Sequence, residues 1–529
     1  MSIPLFDAIR SYLQGDGAVI LPEMELVLFA LGIMLIDFWI EEKEKYLNAL
    51  LAMAGVLFSG VTLWMLRGQI AMKGPFAGFH DSVMVDGFFL FFGALFLVST
   101  ALVILLSVKY LEIEKEQEGE YYALLLFACV GMMLMASGID LIILFLGLET
   151  MALSFYILTG FLRREKRSNE AALKYVLLGA FSSGILAYGF SLLYGLTAST
   201  NIRSIAGILE RRDGMVRAIV VSQQPGAAGE HMRQLIQAQA PDVLHMDPFT
   251  LQILPLVAFV LVAVGLFFKV AAVPFHQWAP DVYEGAPTPI SAYVSVASKT
   301  ASFALLLRLF LIVFAVSQET WIYLIAGVAV ASLTWGNLAA LTQTNVKRLL
   351  AYSSISHVGY ILLGLVGRNE NGLVGIAYYL FAYVFMTAGA FAVIIVLRQK
   401  GLIGEELDDL NGLYQRSPAA ALLLLIFMLS LAGIPPTAGF MGKYFIFLSL
   451  IETKHPVLAV FAVLYIVPAL YYYFRIIVHA WLKQPGEAPR PVTMTSAQAV
   501  ALGVAVFVTL AAGLYPEPFT RLAHYAFGQ

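Results

Sequence analysis

Lys269-Val-Ala-Ala-Val-Pro274-Phe-His-Gln-Trp-Ala-Pro280 and Ala432-Gly-Ile-Pro-Pro436-Thr-Ala-Gly-Phe-Met-Gly-Lys443 decide the fold. Each places a lysine beside a proline break in a long apolar run. Proline removes a backbone donor and clashes with the preceding turn. At membrane depth the freed carbonyls are tolerated only where they are buried in protein or line a wet cavity. The breaks fall in the seventh and twelfth apolar runs. Corresponding breaks in two halves of a chain mark an ion pathway built from repeats.

Composition agrees with a membrane setting. Of 529 residues, 60% are hydrophobic and 13% charged, and the mean hydropathy is +0.82. A soluble domain carries about 25% charged residues, so an ordinary water-soluble enzyme is excluded, as is disorder. A net charge of −3 gives no basic footprint for nucleic acid. Cys129 alone cannot build a disulfide or hold an iron–sulfur cluster, which takes four thiolates as a rule. The eight histidines are thinly spread, so the chain is poorly equipped for a redox centre of its own. Met1 to Gly17 reads as mixed and polar, without the pattern of a cleaved signal peptide.

A spanning helix needs about 20 mostly apolar residues. About fourteen such runs follow one another, at 18–40, 46–66, 84–108, 121–138, 140–161, 171–196, 250–272, 288–314, 320–342, 350–367, 372–397, 418–450, 456–482 and 495–515. The expected fold is therefore an all-α polytopic membrane protein. Its two five-helix units would be spans four to eight and nine to thirteen, with spans seven and twelve broken. On one side the loops hold fifteen lysines and arginines, among them Lys43, Lys109, Arg163, Lys347 and Lys483; the short loops opposite hold six. The basic side is the cytoplasmic one, which puts both termini outside. The long outer loop at 198–248 reads as a surface insertion whose middle, around Glu210 to Gln239, holds a short amphipathic helix.

A charged side chain at mid-bilayer costs roughly 2.5 to 3.5 kcal/mol on insertion scales. Glu149, Lys174, Lys269, Lys299 and Lys443 all fall within the spans and point to an ion pathway. Lys174, near the start of its span, has snorkelling to the surface as the plain alternative. Lys299 lies among Ser291, Ser295 and Ser302 at helical spacing, a polar stripe able to keep water beside the ammonium. His357 sits between Ser353 and Tyr360 on one face, and histidine titrates near neutral pH, which suits proton transfer. Arg308 and Arg475 read as structural pairs or interface residues. Glu23, Glu25, Asp37, Asp86 and Asp140 lie near span ends, where solvation is the default.

The strings Val273-Pro-Phe-His-Gln-Trp-Ala-Pro-Asp-Val-Tyr-Glu-Gly-Ala-Pro-Thr-Pro289, Ser298-Lys299, Ser353-Ser-Ile-Ser-His357-Val-Gly-Tyr360 and Ala432-Gly-Ile-Pro through Gly439-Phe-Met-Gly-Lys443 resemble the antiporter-like subunits of respiratory complex I. Together they span about 120–450. The family's fourteen helices and two inverted five-helix repeats agree with the count above. The resemblance implies four divisions: a three-helix segment at 1–118, repeats at 119–315 and 316–484, and a C-terminal helix and tail at 485–529. Span eleven, Tyr378 to Phe391, lacks the histidine and lysine that subunits L and M of that family carry there. Span twelve presents Lys443 where those two have an acid.

By the same resemblance, Glu149 matches the glutamate that pairs with the span-seven lysine, Lys269. Lys174 matches the span-six lysine, Lys299 the central lysine, His357 the central-axis histidine and Lys443 the terminal lysine. The implied activity is proton translocation within NADH–quinone oxidoreductase, in a bacterial inner membrane. The resemblance places NADH, FMN, iron–sulfur clusters and quinone in partner subunits, with none in this chain. The implied neighbours are subunit M, subunit K and other membrane subunits, within the lipid bilayer. A cation/proton antiporter or membrane-bound hydrogenase subunit shares the fold, and Lys443 with the span-eleven pattern argues against both. A stand-alone solute symporter would show a substrate-specific constellation, and none is evident. A purely structural scaffold would tolerate loss of the buried charges.

Overall fold

The structure, a computed structural model, describes residues 16–116, 118–239, 248–398, 404–485 and 492–528. Arg10, Lys400 and Arg490, three of the loop residues counted in orienting the chain, lie outside the described residues. So do 240–247 of the outer loop.

In hydrocarbon a backbone must satisfy its own polar groups, so apolar runs become helices. In chain order they are α1 (Leu21–Ile36), α2 (Tyr46–Lys73), α3 (Gly87–Glu114), α4 (Gly119–Ser137), α5 (Leu141–Thr159), α6 (Lys166–Thr197), α7 (Ile202–Ser222), α8 (Ala227–Gln239), α9 (Pro248–Val270), α10 (Trp278–Gly285), α11 (Thr288–Tyr293) and α12 (Lys299–Arg308). Then follow α13 (Gln318–Ala340), α14 (Val346–Gly367), α15 (Glu370–Leu397), α16 (Pro418–Ala432), α17 (Ala438–Glu452), α18 (Pro456–Leu464), α19 (Ile466–Trp481), α20 (Ser496–Leu514) and α21 (Glu517–Ala526). Among the described residues, 12 helices are long and apolar enough to cross a membrane. Two expected crossings fall short of that length: α1 has 16 residues, and the twelfth run is split into α16 and α17 of 15 each. A two-stranded hairpin, β1 (Phe76–Gly78) with β2 (Val83–Val85), closes the turn between α2 and α3.

Several polar residues at span ends act as caps. The Asp86 carboxylate accepts from the Phe89 amide, and Asp140 from that of Ile142. Both expected breaks are present. The first runs from Val270 to Trp278, where the Val273 amide donates to Ser332 Oγ at 3.0 Å and Trp278 Nε1 to the Phe268 carbonyl at 2.8 Å. The second opens at Gly433, whose φ of 86° is a left-handed value that glycine adopts at no steric cost. Other irregularities escaped the sequence reading, a π-helical turn at Leu309–Val313 among them. Another π-helical turn, Val294–Ser298, joins α11 to α12, and Tyr465 divides span thirteen into α18 and α19.

The outer loop corrects its expectation. It holds two helices, α7 and α8, where one short helix was anticipated. Asn201 caps α7 by accepting from the amides of Arg203 and Ser204, and Ile202, Ile205, Leu209, Val216 and Ile219 bury one of its faces.

The centre of the bundle is α14 and α15, each 94% buried over its apolar window, against 28% for the span formed by α18 and α19. That contrast separates helices enclosed on all sides from those that keep one face outward. Helices α4 and α5 touch through glycines: a Cβ on Gly131 would lie 2.4 Å from the Met151 amide and 2.6 Å from the Gly147 carbonyl. Small residues allow this approach in membranes. Gly131→Leu is therefore expected to lower stability by at least about 1–3 kcal/mol, as overpacking does, read as a lower unfolding midpoint in detergent. Gly184→Leu, beside open space, should leave that midpoint nearly unchanged.

Candidate functional site: a buried polar line

Lys269, Lys299, His357 and Lys443 are each 5% exposed or less. Four separate segments carry them: α9, the start of α12, α14 and α17. The bundle brings all four into its interior.

Lys269 ends α9 just before the first break, with its ammonium 5.9 Å from the centre of the Tyr156 ring. Glu149 of α5 lies within electrostatic reach of it. The carboxylate makes no ion pair among the described residues, and its Oε1 is buried without a hydrogen-bond partner. From Tyr156 an aromatic series runs inward: Tyr175 at 4.8 Å between ring centres, Trp278 stacked on Tyr175 at 4.7 Å, then Tyr283. Tyr283 presents its ring 5.7 Å from the Lys299 ammonium.

Lys299 donates to Ser354 Oγ of α14 at 2.5 Å. The serine stripe on its own helix does not hold it: Ser291 donates to the Tyr283 carbonyl and Ser302 to that of Ser298. A helical serine readily back-bonds to its own backbone, and this leaves the partner to come from another helix. The π turn immediately before Lys299 is a form that recurs at functional sites. Beside it, Ser295 and Tyr383 hydroxyls meet at 3.0 Å.

His357 sits between two tyrosine hydroxyls. Nδ1 is 2.7 Å from Tyr379 and Nε2 is 3.1 Å from Tyr473, and Tyr473 also meets Ser353. The Lys299 and Lys443 ammoniums both lie within electrostatic reach of the imidazole. Lys443 completes the line. Its ammonium donates to the carbonyls of Ala432 at 2.8 Å and Leu431 at 3.3 Å and lies 4.7 Å from the centre of the Tyr360 ring. Those carbonyls are the open C-terminal end of α16, where the helix dipole favours a cation. Gly433 leaves the room, since a Cβ there would sit 2.9 Å from Lys443 Nζ.

Lys174 departs from this line. Its side chain is 42% exposed and bonded to Glu170 and Asp281, both at 2.8 Å. The snorkelling alternative describes its position, because its long stem lets the charge reach the helix end. Arg348 joins the cluster, pairing with Asp281 at 2.7 Å and Glu284 at 2.9 Å. Burial alone would raise the Asp281 carboxyl; hydrogen bonds from Lys174 and Arg348 outweigh it and hold the group below its ordinary value.

The sequence reading missed three features. Tyrosines bridge the ionisable groups, and in a chain with 25 tyrosines nothing marked them out. Lys347, taken as a loop residue, is 1% exposed and bonded to Glu405 at 2.9 Å and to the Ala286 carbonyl at 2.8 Å. Glu23, taken as solvated, is buried, because α1 starts only two residues before it and packs against α4. Arg308 is the structural pair expected: it grips Asp86 at 2.8 and 3.0 Å and the Ala136 carbonyl at 2.6 Å. Among the described residues no three His, Cys, Asp or Glu side chains converge as a metal site.

The family model described as NADH:quinone oxidoreductase/Mrp antiporter, transmembrane, matches residues 137–468. The chain is 49% identical over 517 residues to "NADH-quinone oxidoreductase subunit N 2" of Solibacter usitatus, covering 97% of each. It is 50% identical over 522 residues to "NADH-quinone oxidoreductase subunit N 1" of Koribacter versatilis, covering 97% of this chain and 96% of that one. A chain of respiratory complex I from Thermus thermophilus, solved with bound aureothin, superposes with a TM-score of 0.73 at 31% identity, covering 95% of this chain and 99% of that one. The Mrp complex from Dietzia shares the fold, at a TM-score of 0.75 and 21% identity over 95% of this chain and 96% of that one.

Breaking one partner of a buried ion pair costs roughly 3–5 kcal/mol, while replacing both is far milder. Lys347→Met and Glu405→Gln are each expected to reduce assembled protein sharply, and the double variant to recover part of it. Expression and thermal unfolding of the four forms would read the cycle; equal, additive losses would show that the pair does not act as one unit.

Proposed function

Because the chain belongs to the NADH:quinone oxidoreductase/Mrp antiporter family of membrane subunits, we propose that its buried polar line carries protons. The chain acts as the proton-translocating subunit N of a bacterial NADH–quinone oxidoreductase. Its work comes from NADH oxidation and quinone reduction in partner subunits, which hold the flavin, iron–sulfur and quinone sites. Neighbouring membrane subunits, M and K among them, sit beside it in the inner membrane, with both of its termini on the periplasmic side. Residues 119–315 and 316–484 serve as two inverted units, after a three-helix segment at 1–118 and before a final helix and tail at 485–529.

One observation supports this reading above the others. Lys299, His357 and Lys443 are buried among hydroxyls and free carbonyls, and none forms an ion pair among the described residues. A paired lysine holds its proton; a lysine facing only neutral oxygen atoms is able to give it up. Each residue then has a part. Glu149 biases Lys269 electrostatically: near, it favours the charged amine, and further away it lets the proton go. Lys299 passes a proton by way of Ser354, and His357 relays it between Tyr473 and Tyr379. Lys443 receives it at the carbonyl end of α16. Lys174, at the surface, gathers charge with Asp281 and Glu170 at the basic end of the bundle. Carrying one charge against 100 mV costs about 2.3 kcal/mol, so the line conducts and the partners drive.

The test separates charge from titration. Lys299→Met in the assembled complex should lose most proton translocation relative to NADH oxidation. Lys299→Arg keeps the charge but is not deprotonated in proteins, so it should lose as much. Normal translocation by the arginine variant, measured as acidification of energised inverted vesicles, would sink the relay. Gly433→Ala should also impair translocation, since its methyl group would press on the Lys443 ammonium; the expected readout is slower pumping in complex that still assembles.

A further inference from the structure

At the end of the bundle opposite the basic loops, the first turn of α1 brings Glu23 against Ser137, the last residue of α4. Glu23 is 4% exposed and Ser137 is fully buried. Among the described residues, neither carboxyl oxygen of Glu23 has a hydrogen-bond partner, and neither does the Ser137 hydroxyl. Among the described residues, no cation pairs with Glu23. On α1 itself stands Glu25, within electrostatic reach of Glu23, with its Oε1 accepting from Thr62 of α2 at 2.8 Å. On α4 stands Cys129. Arg308 reaches the carbonyl of Ala136, next to Ser137, but its guanidinium is committed to Asp86. Three oxygens therefore converge in an enclosed place, with a second acid near them.

A bare carboxylate in apolar surroundings is costly, and such a group takes up a proton instead. We propose that Glu23, together with Ser137, forms a proton-binding site separate from the central line. The site stands independently of the relay reading. A proton on one Glu23 oxygen removes the uncompensated charge and supplies a donor, and the Ser137 hydroxyl is placed to share it. A polar spur joins the site to the helix of the central lysine. Cys129 lies within electrostatic reach of Glu23 and against Thr100. Thr100 and Tyr293 hydroxyls meet at 2.6 Å. Tyr293 ends α11, immediately before the π turn that leads to Lys299.

Infrared spectroscopy of the assembled complex reads this directly, because a protonated carboxyl has its own C=O stretch, displaced in D2O. At neutral pH, Glu23→Gln should remove one such band and Ser137→Ala should shift it. Absence of any protonated-carboxyl band that responds to either change overturns the proposal. Loss of the band on adding sodium chloride at constant pH also overturns it, since the ligand would then be a metal cation. Should the Glu23 variant fail to assemble, Ser137→Ala decides alone: a shifted band supports the site, and an unchanged spectrum ends it. Lys299→Met, followed by translocation, tests the relay separately.

Discussion

The contact between the Lys443 ammonium and the open carbonyls of Ala432 and Leu431 sets the terms for the rest of the structure. An amine can be kept inside a bilayer protein only if something there replaces water. Here a helix is ended early so that its own backbone does so. Everything needed for that follows in one short stretch: glycine at the left-handed position, proline to forbid continuation, and a second helix that carries the lysine back over the gap. The break at Val270 to Trp278 answers the same requirement differently. There Trp278 and a serine from another helix satisfy the freed groups, and Lys269 is left beside the Tyr156 ring, with a glutamate at a distance.

The two ends of the molecule treat charge in opposite ways from the middle. At the basic end, Lys347 with Glu405, and Arg348 with Asp281 and Glu284, are paired closely. At the other end Arg308 is held by Asp86. These pairs fix charge in place and tie segments together. Along the central line, amines and imidazole meet hydroxyls, rings and carbonyls, which solvate a charge without trapping it. The close pairs thus lie toward the ends, where Glu23 is an unpaired exception among the described residues, and the central groups meet neutral oxygens instead.

Much of this was legible in the sequence, residue by residue. Lys299 and Lys443 stood out because charge in a long apolar run is expensive. The prolines at 274, 435 and 436 located the breaks. Lys174 was ambiguous for a physical reason: near a span end its long stem permits either a buried or a surface position. Glu23 and Lys347 were misjudged because distance from a span end was taken as a measure of solvation. Whether a terminal turn is wet depends on which neighbour covers it. The tyrosines were invisible, since a phenol is ordinary in an apolar helix and becomes a bridge only when another helix sets an imidazole or an amine beside it.

The sequence by itself determined that the chain lives in a membrane, which runs become helices, where two of them break, and which side chains are too costly there to be accidental. Those follow from local chemistry: hydropathy over about 20 residues, the missing proline donor and the price of a buried charge. Only the tertiary structure decided which of those charges share one interior, that Ser354 and not the neighbouring serines holds Lys299, and that Glu23 is enclosed while Lys174 is not. These are contacts between residues far apart in the chain, set by how helices pack, and no local pattern encodes them.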